Sequence, residues 1–582
     1  MIGTFKYNIR KLNVFVVAAR RLTFEMAAYQ IKRAVRNYTV PLVPSLYYRY
    51  ICRVASKLPA IEMCADGEHT LMDYVIRYYE SVNDARTLDE VASGSFTFFG
   101  VTHRFGSLSE VDWHHQVQEE TNFHLWRQKL NHLGFIGAML GQGKKYHKSI
   151  EALLDSFGCY ADFSNRGYFT SVWFTYSASH RVLALLSGLY SSHKRGPISD
   201  TLFSKLEKRI RFDVAFVIAN IEHELKNNHV ERNLAALCLY FSCVSKVPDG
   251  LQKKIDFCVF RYLNENILAD GMMIERSAMY QGLTVLSLRI FMESDFLERR
   301  TRAFAGSLYH RALKAWWVLT HPDGEISLFN DSWYGEVPRT ALVEKEVSLL
   351  PLEVLSSAGY ARIRKGHIFL IFDAGAIGPE WNPGHGHSDF LAVEIDVAGS
   401  RFIVDPGTSE YSHGPQRQRQ RAANQHNGPS IKGRDFVEYM DCFKVGKYVD
   451  ASLSSISSGA SGFKLTGALD LVGASINRSI EVHDNQIILA DEWQLNSGDG
   501  VVRLLIDGSW GIAGYTSTDT VIFQKGMERV RLVVDTGCIE SIDVDRWSCQ
   551  YLRHRPATRI DLLPVNGKGN AQVLKWRLDV EK

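Results

Sequence analysis

The sequence predicts an α+β multidomain chain, helical over residues 1–350 and an antiparallel β-sandwich over 351–582. Three observations carry that reading. Apolar residues recur at steps of three and four through the first part, the spacing of one helix face. From near residue 355 they recur at steps of two, the spacing of a strand. The composition, 46% hydrophobic and 23% charged, is that of a folded soluble chain, which sets aside disorder, collagen and coiled coil. At 582 residues the chain has room for about four ordinary domains or two large ones.

In the helical part, Phe123, Trp126, Leu130, Leu133, Gly137 and Leu140 fall on one apolar helix face. Further helices are expected over 171–190, 201–221, 230–243, 255–268, 278–292 and 302–319. Gly141-Gln-Gly143 and Pro248-Asp-Gly250 break the pattern between some of them. Helix pairs of this length stack into a solenoid or close into an (α/α) toroid, and without a strict sequence repeat the helices alone do not decide between the two.

The boundary is expected between Leu342 and Ser357. Beyond it Leu391, Val393, Ile395 and Val397 alternate with Phe390, Ala392, Glu394 and Asp396, and Ala398-Gly-Ser400 turns the chain into a hairpin partner at Arg401–Asp405. Strands are expected over 367–373, 476–482, 486–493, 501–506 and 529–535, with a turn at His483–Gln486. This spacing suits an antiparallel sandwich. A groove between a helical and a β domain is a favoured ligand site.

Charge and cysteine usage exclude several classes. With 67 basic and 64 acidic residues the net charge is +3, which gives no global attraction to nucleic acid, so an acidic ligand needs a local pocket. No run of about 18 apolar residues is present, so no transmembrane helix is expected. The apolar stretch Leu12–Ala19, flanked by Lys6, Arg10, Lys11, Arg20 and Arg21, is short for a signal peptide and contains Asn13. It reads as a basic helix, which leans toward the cytoplasm with the periplasm as alternative. The nine cysteines form no CxxC and are odd in number, which argues against a disulfide framework or a cysteine zinc site. Most are expected to be small buried side chains.

Four clusters carry chemistry. In Asn382-Pro-Gly-His-Gly-His-Ser-Asp389, His385 and His387 flank a glycine, and in extended backbone they would share a face. With Asp405 and His426 they make a set of imidazoles and a carboxylate that suits zinc with an open fourth position. The alternative is ordinary core and surface histidines with a turn aspartate. Lys226-Asn-Asn-His229 offers polar groups that otherwise serve as helix caps. In Asp270–Tyr280, Asp270-Gly271 forms a turn and Ser277 is placed to begin a helix, which leaves Tyr280 as a core or site tyrosine. Arg417, Arg419 and Arg421 present planar forks that pair with carboxylate or sulfate, or else form a solvated basic loop.

Together these segments resemble the heparinase II/III-like superfamily of polysaccharide lyases. The matching pieces are Asn227-Asn-His229, Glu275-Arg-Ser-Ala-Met-Tyr280, Pro383-Gly-His-Gly-His-Ser-Asp389, Val404-Asp-Pro-Gly-Thr408 and Arg421 through His426-Asn427. No single piece is decisive, but five in order over residues 227–427 are specific. The resemblance implies an N-terminal (α/α) toroid, a C-terminal antiparallel β-sandwich, and β-elimination at a uronic acid in an acidic polysaccharide or oligosaccharide.

By the same resemblance Asn228 would neutralise the uronate carboxylate, which stabilises the enolate-like transition state. His229 would be a base or a substrate contact. Tyr280 would be base, acid or both, and His385 would assist at the carboxylate or act as base. Arg421, Arg276 and Asn227 would contact substrate. A tyrosine base needs its pKa of about 10 lowered by nearby positive charge, from His385, Arg421 or a metal. His387, Asp405 and His426 would hold a structural zinc.

Gly428-Pro429 and Asn424-Gln425 depart from the family pattern. A proline there removes a backbone donor and is expected to alter the strand and the metal geometry. Other classes that suit such a scaffold are an acidic-glycan-binding or polysaccharide-assembly protein, a glycoside hydrolase using Glu275 and Asp331, and a zinc hydrolase with an open metal. The sequence leaves the uronate, its sulfation and the oligomeric state open.

Overall fold

The computed structural model describes residues 17, 19–63, 70–160, 162–342, 347–459, 462–517 and 519–581. Most of the Leu12–Ala19 stretch and Cys64 lie outside them. Helices run from Phe24–Thr39 through Arg299–Val318 and Arg339–Leu342, and the first strand of the β part is Leu352–Leu355. The helical half is an (α/α) toroid. No helix among the described residues is long and apolar enough to cross a membrane.

The centre of the helical half is Thr175–Arg195, which touches Thr70–Ser81, Gly134–Leu140, Asp200–Ala219 and Asn228–Phe241. It is therefore buried on every side for most of its length rather than along one stripe. Its closest approach needs glycine. A Cβ on Gly188 would meet the Gly137 backbone, and one on Gly137 would meet Ala184.

The apolar run from Phe123 to Leu140 is not one helix. It is Leu125–His132 followed by Gly134–Leu140, with Leu133 in the left-handed region at φ 52°. The buried Arg181 guanidinium donates to the Asn131 carbonyl at 3.0 Å, the acceptor that a continuing helix would reserve for residue 135. The periodicity survives the break because both pieces bury nearly all their side chains.

The β part is two antiparallel sheets. One orders the strands Cys538–Gln550, Arg553–Leu563, Gly500–Asp507, Ser400–Ile403, Val393–Val397, Ile368–Asp373, Tyr360–Lys365 and Leu352–Leu355. The other runs from Gly511–Ser517 to Ala451–Gly459. The first sheet lies between the helices and the second sheet. Phe369 and Ile371 join the helical core, while Ile368, Leu370 and Phe372 join the sandwich core. The strand expected over 390–397 begins at Val393, because Leu391 sits at φ 59°.

Both faces of that strand are buried. Val393, Ile395 and Val397 enter the sandwich core. Glu394 and Asp396 on the other face grip His321 from the helical half, at 2.6 Å to Nε2 and 2.9 Å to Nδ1. Arg401 adds a 3.1 Å bond to Glu394. The polar half of the alternation thus ties the two domains together. The hairpin at Ala398-Gly399 has both residues at positive φ, 50° and 80°, the geometry of a two-residue turn between right-twisted strands.

Among the described cysteines, Cys238, Cys243 and Cys549 are buried. Cys159 and Cys538 are exposed, against the expectation that most would be buried.

Candidate active site

Segments of both halves converge where the helical half meets the first sheet, around a cavity of about 270 Å³. Asn227 caps the Asn228–Phe241 helix by accepting the His229 N–H at 3.1 Å, which places Asn228 in the first turn, facing the cavity. Ser277 caps the Ala278–Glu293 helix by accepting the Tyr280 N–H at 3.2 Å, so Tyr280 also stands in a first turn. Arg276 just before it lies at φ 55°, and its carbonyl is held by Asn330 Nδ2 at 3.1 Å and Tyr360 Oη at 2.8 Å.

The loop bearing His385 and His387 is a set of turns, not a strand, yet both rings meet one carboxylate. Asp331 Oδ2 lies 2.8 Å from His385 Nδ1, and Oδ1 lies 3.0 Å from His387 Nε2. Gly386 lets the turn close, since a Cβ there would collide with the Ile377 carbonyl. Arg417 forms a two-pronged ion pair with the same carboxylate, 2.7 Å from NH2 to Oδ2. Burial opposes ionisation of Asp331, but Arg417 and the two histidines hold its pKa well below the usual range.

His385 presents Nε2 to the cavity, 3.4 Å from Asn228 Nδ2 and 3.6 Å from Glu275 Oε1. Glu275 Oε2 in turn accepts from Asn228 Nδ2 at 3.0 Å and from its backbone N–H at 3.2 Å. The Tyr280 ring lies 4.4 Å from the His385 ring, and its hydroxyl is 3.1 Å from that of Tyr411. Burial raises the Tyr280 pKa well above its ordinary value. Tyr176, Asp331 and Glu275 add to the rise, while Tyr411 partly offsets it. The expected lowering by positive charge is absent in this arrangement, so the free site holds Tyr280 as a phenol.

The expected site residues divide. Asn227, Asn228, His229, Tyr280 and His385 all line the cavity. His229 is tied to Glu222 at 3.2 Å and rests 4.7 Å from the Tyr176 ring, on the cavity edge. Arg421 does not face the cavity. It is fully buried, with its guanidinium donating to the carbonyls of Gly386 at 2.9 Å, Gly384 at 3.2 Å and Cys442 at 3.0 Å. Burial and Arg417 lower its pKa to about 10. It braces the histidine loop. Arg276 is also turned away, donating to Ala358 O at 3.1 Å in the β domain.

Asp331, Tyr411 and Arg417 complete the site. Asp331 stood in the sequence only as one half of a hydrolytic pair with Glu275, and the two are here committed elsewhere, Asp331 to His385, His387 and Arg417 and Glu275 to Asn228. Arg417 stood as one of three basic residues. Tyr411 carries no motif of its own.

The donors for a metal lie behind this site. Atoms of His387, Asp389 and His426 fall within 4.8 Å of one another, and all three residues are buried. Among the described residues, His387 Nδ1 and His426 Nε2 have no hydrogen-bond partner. The other nitrogen of each ring meets a carboxylate, Asp331 for His387 and Asp405 at 2.7 Å for His426. A carboxylate behind each histidine and an open nitrogen in front is the arrangement of metal-binding imidazoles, and the donor set fits zinc. Asp405, expected among the ligands, lies beside this group through its contact with His426 Nδ1. It orients His426, and Asp389 is the carboxylate that faces the two free nitrogens.

Pro429 does not disturb this region, because it opens the short strand Pro429–Ile431, a position where proline is tolerated. Asn427 pins the segment, donating to Val404 O at 2.9 Å and Val393 O at 3.1 Å and accepting from Leu505 N at 2.9 Å.

Residues 348–577, most of the β part of the chain, match the family model described as Heparinase II/III-like, C-terminal. No curated protein matches the sequence. Among solved structures, a crystal structure of heparinase III superposes with a TM-score of 0.65 at 12% identity, over 98% of this chain and 93% of that one. A heparan sulfate lyase HepC mutant from Pedobacter heparinus gives 0.59 at 14% identity, over 95% and 91%. The heparinase III BT4657 gene product gives 0.59 at 14% identity, over 86% and 84%. At these identities the shared property is the fold, a helical toroid followed by a β-sandwich.

Proposed function

We propose that the protein is a polysaccharide lyase that cleaves a uronate-containing acidic chain by β-elimination. The observation that carries this reading is the meeting of Asn228, Tyr280 and His385 at one cavity, with Asp331 behind the histidine. Elimination needs a base for the C5 proton, an acid for the leaving glycosidic oxygen, and a group that neutralises the carboxylate beside C5.

The Nδ1–H of His385 donates to Asp331, which leaves the Nε2 lone pair toward the cavity as the base. Tyr280, held as a phenol by its surroundings, is the acid. The Asn228 amide is fixed by Glu275 and reaches His385 only through a long 3.4 Å contact. That contact gives way to the substrate carboxylate. Removal of the C5 proton passes it to His385, the electron pair forms the C4–C5 double bond, and the C4–O bond breaks as Tyr280 delivers its proton to the departing oxygen. A zinc held by His387, Asp389 and His426 would supply fixed positive charge behind the histidine loop and brace it. The proton transfers belong to His385 and Tyr280.

The test is the ultraviolet absorbance of the new double bond, conjugated to the carboxylate, during incubation with a panel of uronate polysaccharides. A rise on one member with wild-type protein, and none with His385→Ala, supports the reading. New reducing ends without that absorbance would replace it with hydrolysis.

A further inference from the structure

The lysine and arginine side chains on the cavity wall, and two of its histidines, are already paired with carboxylates. Arg33 pairs with the buried Glu224 at 2.9 Å, and Lys129 pairs closely with Glu336. His229 faces Glu222 and His385 faces Asp331. The three arginines that the sequence offered for anion binding are spent as well. Arg417 is on Asp331, Arg419 on Asp545 at 2.6 Å, and Arg421 on backbone carbonyls. Among the described residues, no lysine or arginine lining this cavity is without a carboxylate partner.

A single uronate carboxylate is served by the neutral Asn228 amide already there. A sulfate ester is different. It stays ionised at any working pH and gains most from a cation with hydrogen bonds to give. On this wall it would meet carboxylates whose charge is balanced only by their existing partners.

Lys129 and Glu336 are the pair that matters most. Their side chains are 19% and 10% exposed, and both also line a second cavity of about 250 Å³. Lys129 is thus the wall lysine that a substrate anion would reach, were Glu336 not holding it.

We infer that the catalytic cavity selects uronate chains without sulfate esters, and that Glu336 sets this selectivity by neutralising Lys129 at the cavity wall. The inference rests on the lyase reading above and narrows its substrate.

The experiment compares kcat/KM on uronate polysaccharides, each in unsulfated form and after chemical sulfation, followed by ultraviolet absorbance. Wild-type protein is expected to favour the unsulfated form by at least about tenfold, the worth of one charge-assisted hydrogen bond. Glu336→Gln, which frees the Lys129 ammonium, should raise the sulfated-to-unsulfated ratio by about tenfold. Lys129→Gln breaks the same bridge without freeing a cation and should not raise it.

A wild-type preference for sulfated chains overturns the inference while leaving the lyase reading intact. Equal gains from Glu336→Gln and Lys129→Gln also overturn it, since the effect would then be the opening of the wall rather than charge. If no polymer in either form yields an unsaturated product, the lyase reading falls and takes the inference with it.

Discussion

Asp331 holds His385 by its Nδ1 at 2.8 Å, and so turns the opposite nitrogen of that ring toward the cavity. The two residues come from different domains, Asp331 from the loop after the last long helix and His385 from the β part. Docking of the domains and assembly of the base are therefore one event. Arg417 keeps Asp331 ionised, and His387 takes its second oxygen, so one carboxylate serves both the proposed base and a proposed metal ligand.

Replacing Asp331 tests that coupling. Asp331→Asn leaves the buried Arg417 without its counter-charge, and breaking a buried pair this way costs about 3–5 kcal/mol. It also removes the group that fixes the His385 tautomer. Chemical denaturation should show the loss of stability, and kcat should fall even where the variant is folded. A variant with wild-type stability and rate would remove Asp331 from its central place.

Tyr280→Phe deletes only the hydroxyl. Loss of the general acid should lower kcat by about 10²–10⁴-fold with little change in melting temperature. Tyr411→Phe removes the hydroxyl partner 3.1 Å from Tyr280 but not the acid itself, so its rate should fall less. Steady-state kinetics on the two variants checks the order, and equal losses would contradict the assignment of the acid to Tyr280.

Glu120 makes stability depend on pH. Its carboxylate accepts the Leu125 N–H at 2.8 Å and the Tyr551 hydroxyl at 3.1 Å, which joins a helix start to the β part. Burial raises its pKa from 4.5 to about 7. The folded state keeps a proton that the unfolded state loses, so this group lowers stability as pH rises from about 4.5 to about 7 and adds no further slope outside that window. Relative to wild type, Glu120→Gln should gain melting temperature between pH 5 and pH 8 as about that window is crossed. Parallel melting curves for the two proteins across pH would refute the shift.

Zinc should act on stability. Dialysis against a chelator is expected to lower the melting temperature, and added zinc to restore it. His426→Ala or Asp389→Ala should abolish the zinc response. Asp405→Ala, acting through His426, should weaken zinc binding by about 10–100-fold. Metal content and thermal shift together measure both. A loss with Asp405→Ala as complete as with Asp389→Ala would place Asp405 among the ligands.

Much of this was legible in the chain. The change of hydrophobic period marked the passage from helices to strands, and the local signals at Asn227 and Ser277 started the helices that carry Asn228 and Tyr280. What failed to show was burial and pairing over distance. Three arginines at alternate positions read as an anion site, but spacing reveals charge and not what it is spent on. Folded, Arg421 supports the loop and Arg417 serves a carboxylate 86 residues away. The alternation at Glu394 and Asp396 marked one face correctly, yet only the packed domains show that this face is buried against His321. Tyr411 had no local signal, because its importance comes from where the Val404–Thr408 segment leads.

The most direct measurement is the mass of the products released from a uronate oligosaccharide of defined length. Elimination splits the chain without adding water, so the two product masses sum to the mass of the substrate and one fragment carries an unsaturated uronate. That is the result expected for wild-type protein, and it should vanish in Tyr280→Phe. Products whose masses sum to the substrate plus one water would show hydrolysis and contradict the roles assigned to His385 and Tyr280.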